Sequence, residues 1–299
     1  MTMKHTITTL ICALAFASVA VAQADLLTQA NKKYREGDLK GARVLVDQAV
    51  KDPALAAQAE VWVLRGFIYK DLYKGAAEKG EGGNLRDEAM ASLFAGIAAD
   101  STNQYTGSSR PAYFFLAKTI HNDAVRALGG LEPEQAKTFF GKYREAVARM
   151  VPDTVLKAQD IDFGNALGTV YVKLFNQDRQ RLDRYDQAVS TYKQVLAMDS
   201  SNYGANYNLA TLYYNRGVYN IQRISADNDI PSLQQIQEAS REFFTQALPY
   251  MLKAHLMKPN RKETILGLEG IHYSLQDEEQ SRHYRHLYEE LEHDELKEK

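Results

Sequence analysis

The chain has 299 residues, 45% of them apolar and 25% charged, which is enough for a sizeable packed core. A formal net charge of −2 gives no field that would draw it to nucleic acid or to an anionic membrane surface. Pro is scarce at 7 residues and falls mostly at segment ends, as suits a chain of short helices.

In chain order, Lys4 precedes an apolar run from Ile7 to Val21. Ala20-Val21-Ala22 and Ala22-Gln23-Ala24 both fit a small-x-small cleavage pattern. Residues 1–24 therefore read as a secretory signal peptide, and the mature protein as periplasmic or secreted. An uncleaved anchor needs roughly 20 apolar residues, more than this run offers. Cys12 follows Ile11, which is too bulky for a lipid-attachment box. It is the only cysteine, so no disulfide remains once the signal is removed. No other stretch is long and apolar enough to span a bilayer.

The mature chain, 25–299, divides into six helical pairs, at roughly 25–54, 58–100, 111–152, 160–200, 203–259 and 262–299. The first carries Leu26, Ala30 and Tyr34, a turn at Gly37-Asp38, then Ala42, Val46 and Ala49. In the second, Trp62, Gly66 and Tyr69 are followed by Ala89, Leu93 and Gly96, with a Gly-rich flexible loop expected over Lys74–Asp87. That loop lacks the Gly-Lys-Ser/Thr ending of a phosphate cradle. The third is the least regular, with Tyr113, Leu116 and Ile120 separated from Phe140 and Tyr143 by an expected break over Asp123–Lys137.

The fourth pair is the clearest. Gly164, Leu167, Gly168 and Tyr171 share one helical face, and Tyr185, Ala188, Tyr192 and Val195 form the answering one. The fifth repeats it with Asn206, Leu209, Ala210 and Tyr213. It resumes at Phe244, Ala247, Met251 and Ala254 after an insertion, Val218–Glu242, that reads as an extended helical pair. Asp227-x-Asp229 within it reads as a helix-capping turn, not a calcium loop. Asn260 with Glu263 has capping-box character. The charged tail beyond Glu278 suits a terminal repeat, on which nothing further stacks.

These paired helices, restarting at similar faces, resemble the tetratricopeptide repeat, whose period is about 34 residues. More narrowly they resemble secreted members from the Bacteroidetes lineage, through Tyr214-Asn215-Arg216-Gly217 and Ala247-Leu248-Pro249-Tyr250. Arg65 departs from the pattern, standing where an apolar residue is usual. The resemblance implies an all-α fold, a right-handed superhelical solenoid of about six helical hairpins with helical insertions. It also places the first helix of each hairpin along a concave groove.

On those helices a second stripe is rotated about 100° from the packing face. It holds Asn165, Thr169, Val172 and Lys173 in the fourth pair and Tyr207, Thr211, Tyr214 and Asn215 in the fifth. Rings and amides of this kind suit an extended peptide, so Asn165, Thr169, Lys173, Tyr207, Thr211, Tyr214 and Asn215 are the candidate ligand-binding residues. The alternative for Tyr207 and Tyr214 is that they fill space between adjacent hairpins. Some relatives clamp a peptide carboxylate; Asn208 matches one such position, without a matching set around it.

No catalytic, dinucleotide or cysteine-pair motif is present, which points away from an enzyme and from any cofactor. His283, His286, Glu290 and His293 share a face of the last helix at a spacing able to hold a metal, but an exposed, highly charged helix produces this by chance, and no metal site is assigned. The expected function is a non-enzymatic scaffold or adaptor for a protein or peptide of the cell envelope. The alternatives are a self-associating structural module using 218–242 as a homo-oligomer contact, or a glycan- and cell-wall-binding protein.

Overall fold

The computed structural model describes residues 26–77, 82–225 and 229–297; the expected signal peptide lies outside them. Among the described residues there is no strand, so the all-α expectation holds. The chain divides into two compact units. Unit 1 holds the described residues as far as Val125 together with Lys137–Thr154, and unit 2 holds Arg126–Ala136 together with everything from Val155 onward.

Unit 1 begins with α1 (residues 26–35) and α2 (Leu39–Ala49). Gly37 between them has φ +81°, and the Asp38 N–H reaches back to the Lys33 carbonyl, closing α1 with a left-handed cap that favours glycine. The Asp38 carboxylate then accepts from the Gly41 N–H and starts α2. A single turn, α3 (Pro53–Ala56), is capped by Asp52. The pair α4 (Ala59–Ala77) and α5 (Gly83–Ala99) follows. The loop expected over Lys74–Asp87 is therefore mostly helix at both ends: Lys74 completes the last turn of α4, and Asp87 lies inside α5.

The Asp100 carboxylate accepts from the N–H groups of Gln104, Tyr105 and Thr106 and from the Thr106 hydroxyl, fixing the turn into α6 (Thr106–Gly129). Those hydrogen bonds outweigh burial and hold its pKa below the usual carboxylate range. The break expected over Asp123–Lys137 shrinks to three residues, because α6 runs on to Gly129 and α7 (Pro133–Met150) starts at Pro133. Pro ends helices less strictly than its position suggests: Pro111 lies in the second turn of α6, which runs on past it at the loss of one backbone donor near the helix start. Tyr69, Leu93, Tyr113, Leu116 and Ile120 form the heart of the unit 1 core.

Unit 2 is built on three hairpins: α8 (Lys157–Gln177) with α9 (Leu182–Met198), α10 (Tyr203–Gln222) with α11 (Ile230–Met257), and α12 (Lys262–Ser274) with α13 (Glu278–Lys297). Asn202 caps α10 by accepting from the Ala205 N–H, and Asp229 caps α11 by accepting from the Ser232 N–H, as the capping reading of that turn required. The capping box expected at Asn260 does not form. Arg261 occupies the cap position without a side-chain bond, and Glu263 pairs with it at 3.1 Å instead. Asp160 and Asp162 lie within α8, with Asp160 in its first turn, where an acid suits the helix dipole. Tyr192, Leu209, Met251, Ile265, Leu268 and Ile271 are almost fully buried, each stabilising the fold by about 1.5–3 kcal/mol relative to exposure.

The glycines of the first helices explain how the pairs close. A Cβ on Gly168 would stand 2.6 Å from the Tyr192 ring, on Gly164 2.5 Å from Val195, and on Gly217 2.5 Å from Phe244. Only a residue without a side chain lets the second helix approach that far.

Candidate functional site

The site is built where α8 and α10, the first helices of two successive hairpins, run side by side in unit 2. Because Gly168 leaves room, the Tyr192 ring crosses beneath α8 from α9 and carries its hydroxyl to the seam between α8 and α10. There the hydroxyl lies 3.2 Å from the Thr169 hydroxyl and also meets the Asn208 side chain. Burial holds the Tyr192 phenol above the usual tyrosine range, and the bonds to Thr169 and Asn208 only partly offset it. A neutral hydroxyl thus forms part of the floor of the seam.

Above it lies a partly open pocket of about 100 Å³. Val172, Phe175 and Leu212 give it an apolar lining, while Asn176, Asn208, Thr211 and Asn215 supply polar edges. Arg179, in the turn after α8, closes one end. At a water's share of about 30 Å³, this space suits one medium-sized side chain and not a whole small molecule. The Asn215 amide is exposed and makes no hydrogen bond among the described residues, so its donors and acceptor are free to meet a ligand.

The candidate residues separate on this geometry. Thr169, Thr211 and Asn215 come together at the pocket. Asn165 does not line it: its amide donates to the Asn202 side chain at 3.1 Å, tying α8 to the cap of α10, and its own Oδ1 is buried without a partner. Lys173 is exposed and stands away from the pocket lining. Tyr207 stacks on Tyr203 with ring planes 9° apart and centroids 5.9 Å apart, and its hydroxyl bonds Thr211. Tyr214 packs on the Phe244 ring at 5.7 Å, and a Cβ on Gly270 of α12 would lie 2.7 Å from its hydroxyl. That is the space-filling alternative for Tyr214.

Asn208, Asn176, Arg179 and Tyr192 complete the lining. Asn208 is one residue, and so about 100° of helix, from the tyrosine on which the sequence reading settled. Its match to a ligand-contacting position of the repeat family was the available signal.

Unit 1 has a wider depression of about 720 Å³, walled by Leu39, Val44, Leu72, Ala76 and Leu85. Its Asp71 carboxylate is already engaged by Tyr34 at 2.7 Å and Lys70 at 2.7 Å, and its Arg43 by the Tyr69 hydroxyl at 3.1 Å. Both of these polar groups are committed to the fold, which leaves the exposed Lys40 as the remaining charged group of the lining. No group of three or more His, Cys, Asp or Glu is gathered as metal ligands among the described residues; His286 instead faces Glu290 at 3.4 Å. No helix among them is long and apolar enough to cross a membrane.

No family model and no curated protein matches the sequence. Among solved structures the chain is similar to Pseudomonas aeruginosa PilF, at 13% identity and a TM-score of 0.34 over 92% of this chain and 98% of that one. It is also similar to Schizosaccharomyces pombe Nro1, described as a nuclear import adaptor, at 13% identity and a TM-score of 0.36 over 94% and 90% of the two chains. A second Nro1 structure gives 12% identity and a TM-score of 0.35 over 91% of each. Likenesses of this size leave the functional reading to the site itself.

Proposed function

We propose that the protein is a non-enzymatic scaffold of the cell envelope that holds an extended peptide segment of a partner protein along the seam between α8 and α10. The observation that carries this reading is the pocket itself: an apolar socket for one side chain, edged by amides and hydroxyls spaced along two parallel first helices. A peptide offers what such a track can use, a side chain for the socket and backbone groups for Asn208, Thr211 and Asn215. The apolar N-terminal run with its small-x-small ending supports export, and so a periplasmic or secreted partner.

A random-peptide display library panned on the full chain tests the groove. Selected peptides should bind Thr211→Trp, in which an indole fills the socket, about tenfold more weakly than the parent. Equal binding to both proteins would remove the groove from consideration.

A further inference from the structure

Beside the pocket, three guanidiniums surround one tyrosine. The Tyr219 ring has the Arg179 guanidinium carbon 4.9 Å from its centroid, Arg223 at 5.6 Å and Arg216 at 5.7 Å. The cation–π attraction of each guanidinium for the ring works against the mutual repulsion of three like charges. Among the described residues none of the three has a carboxylate partner; Arg179 has a single long hydrogen bond, 3.4 Å, to the Asn176 side chain. The nearby acids are engaged elsewhere: Asp178, in the same turn, accepts from the Gln180 N–H at 3.1 Å, and Asp183, at the start of α9, is held by Arg181 at 2.9 Å and lies 3.6 Å from Arg184. Arg223 caps the C-terminal end of α10, where the helix dipole favours a cation. That explanation does not extend to Arg216, two turns earlier.

We propose that this arginine triad binds the side-chain carboxylates of an acidic peptide segment. The proposal rests on the groove reading, because pocket and triad form one track. Asn208, Thr211, Asn215 and Tyr219 follow one another at three- and four-residue steps along one face of α10, and Arg179 belongs to both the pocket and the triad. Spacing selects the ligand. The three guanidinium carbons are disposed about a ring, each 4.9–5.7 Å from its centroid, whereas a single phosphate needs donors converging within about 3 Å of its oxygens. Carboxylates two to four residues apart on an extended chain span about 7–13 Å, enough to reach cations on different sides of that ring. The bound segment therefore carries an apolar residue for the socket and acidic residues running toward the end of α10.

The test uses the full chain and two pools of fluorescein-labelled mixed-sequence peptides, one of Leu, Ser, Asp and Glu, the other of Leu, Ser, Asn and Gln. Anisotropy titrations should show the acidic pool binding at least about tenfold more tightly, an advantage that shrinks as salt rises. Arg216→Gln with Arg223→Gln should abolish that advantage while the circular dichroism stays unchanged, and inorganic phosphate should not displace the peptides. If neither pool binds, if both bind alike, if the double variant keeps the preference, or if phosphate competes as well as peptide, the triad is not an acidic-peptide site. The pocket variant separates the two readings. Equal weakening of both pools by Thr211→Trp, with no preference for acid, keeps the groove and removes the triad; a preference for acid that survives Thr211→Trp undiminished keeps the triad and removes the groove.

Discussion

In the α4–α5 pair of unit 1, Gly66 lets Leu93 against the helix backbone; in the α8–α9 pair of unit 2, Gly168 does the same for Tyr192. The hairpins close by one device, and what differs is the treatment of charge beside them. In unit 1, Arg65 lies between Asp47 at 2.8 Å and Glu88 at 2.8 Å, donates to Ser92 and stacks 4.3 Å over Tyr69, whose hydroxyl also donates to Asp47. Arg86, buried in α5, pairs with Asp123 of α6 at 2.6 Å. The positive charges of that region are answered inside the fold. Among the described residues of unit 2 the arginines around Tyr219 have no such answer, and the amides beside them line an open socket. Arg65 and Arg86 of unit 1 thus join helices, whereas the three arginines of unit 2 have no carboxylate partner among the described residues.

The comparison breaks first at Arg86. Arg86→Met should destabilise unit 1 by about 3 kcal/mol in urea unfolding, because it removes the cation that faces Asp123 at 2.6 Å in a largely buried position. Adding Asp123→Leu should recover most of that loss, since two apolar side chains replace the whole pair. If the double variant is no better than the single one, the pair serves something other than joining α5 to α6.

A smaller effect sharpens the shared part of the design. A Cβ on Gly66 would meet the Leu93 backbone nitrogen at 3.1 Å as well as its side chain, whereas on Gly168 it would meet only the Tyr192 ring. Backbone cannot step aside and a ring can shift slightly, so Gly66→Ala should cost about 2 kcal/mol and Gly168→Ala about 1 kcal/mol. The reverse order in paired thermal melts would show that the two hairpins do not close in the same way.

Much of this was legible in the sequence, for a physical reason. Helical pairs cannot hide their apolar faces alone, so Gly164, Leu167, Gly168 and Tyr171 had to face Tyr185, Ala188, Tyr192 and Val195, and the all-α class followed. The breaks were less legible: Gly and Pro near residues 74–87 and 123–137 suggested longer gaps than form, since helix ends absorb a glycine or a first-turn proline at small cost. Arg65 stood out as a departure, but its partners Asp47 and Glu88 lie on helices either side of its own. Of the candidate site, Thr169, Thr211 and Asn215 were within reach because helical period places Thr169 on the stripe of α8 beside its packing face, and Thr211 and Asn215 on the matching stripe of α10. The arginine triad was not. Arg179 and Tyr219 are 40 residues apart, and only the return of the chain through α9 brings the end of α8 back beside α10.

The smallest expected effect is the most telling for the contrast between the units. Arg216→Gln with Arg223→Gln should change the stability of the full chain by no more than about 0.5 kcal/mol, because the lost cation–π contacts are offset by relief of like-charge repulsion. Set against about 3 kcal/mol for Arg86→Met, that ratio separates a cation that holds the fold from cations that do not. A loss in unit 2 as large as that in unit 1 would mean that the triad, too, is bound into the architecture. The charge now assigned to a partner would then have to be returned to the fold.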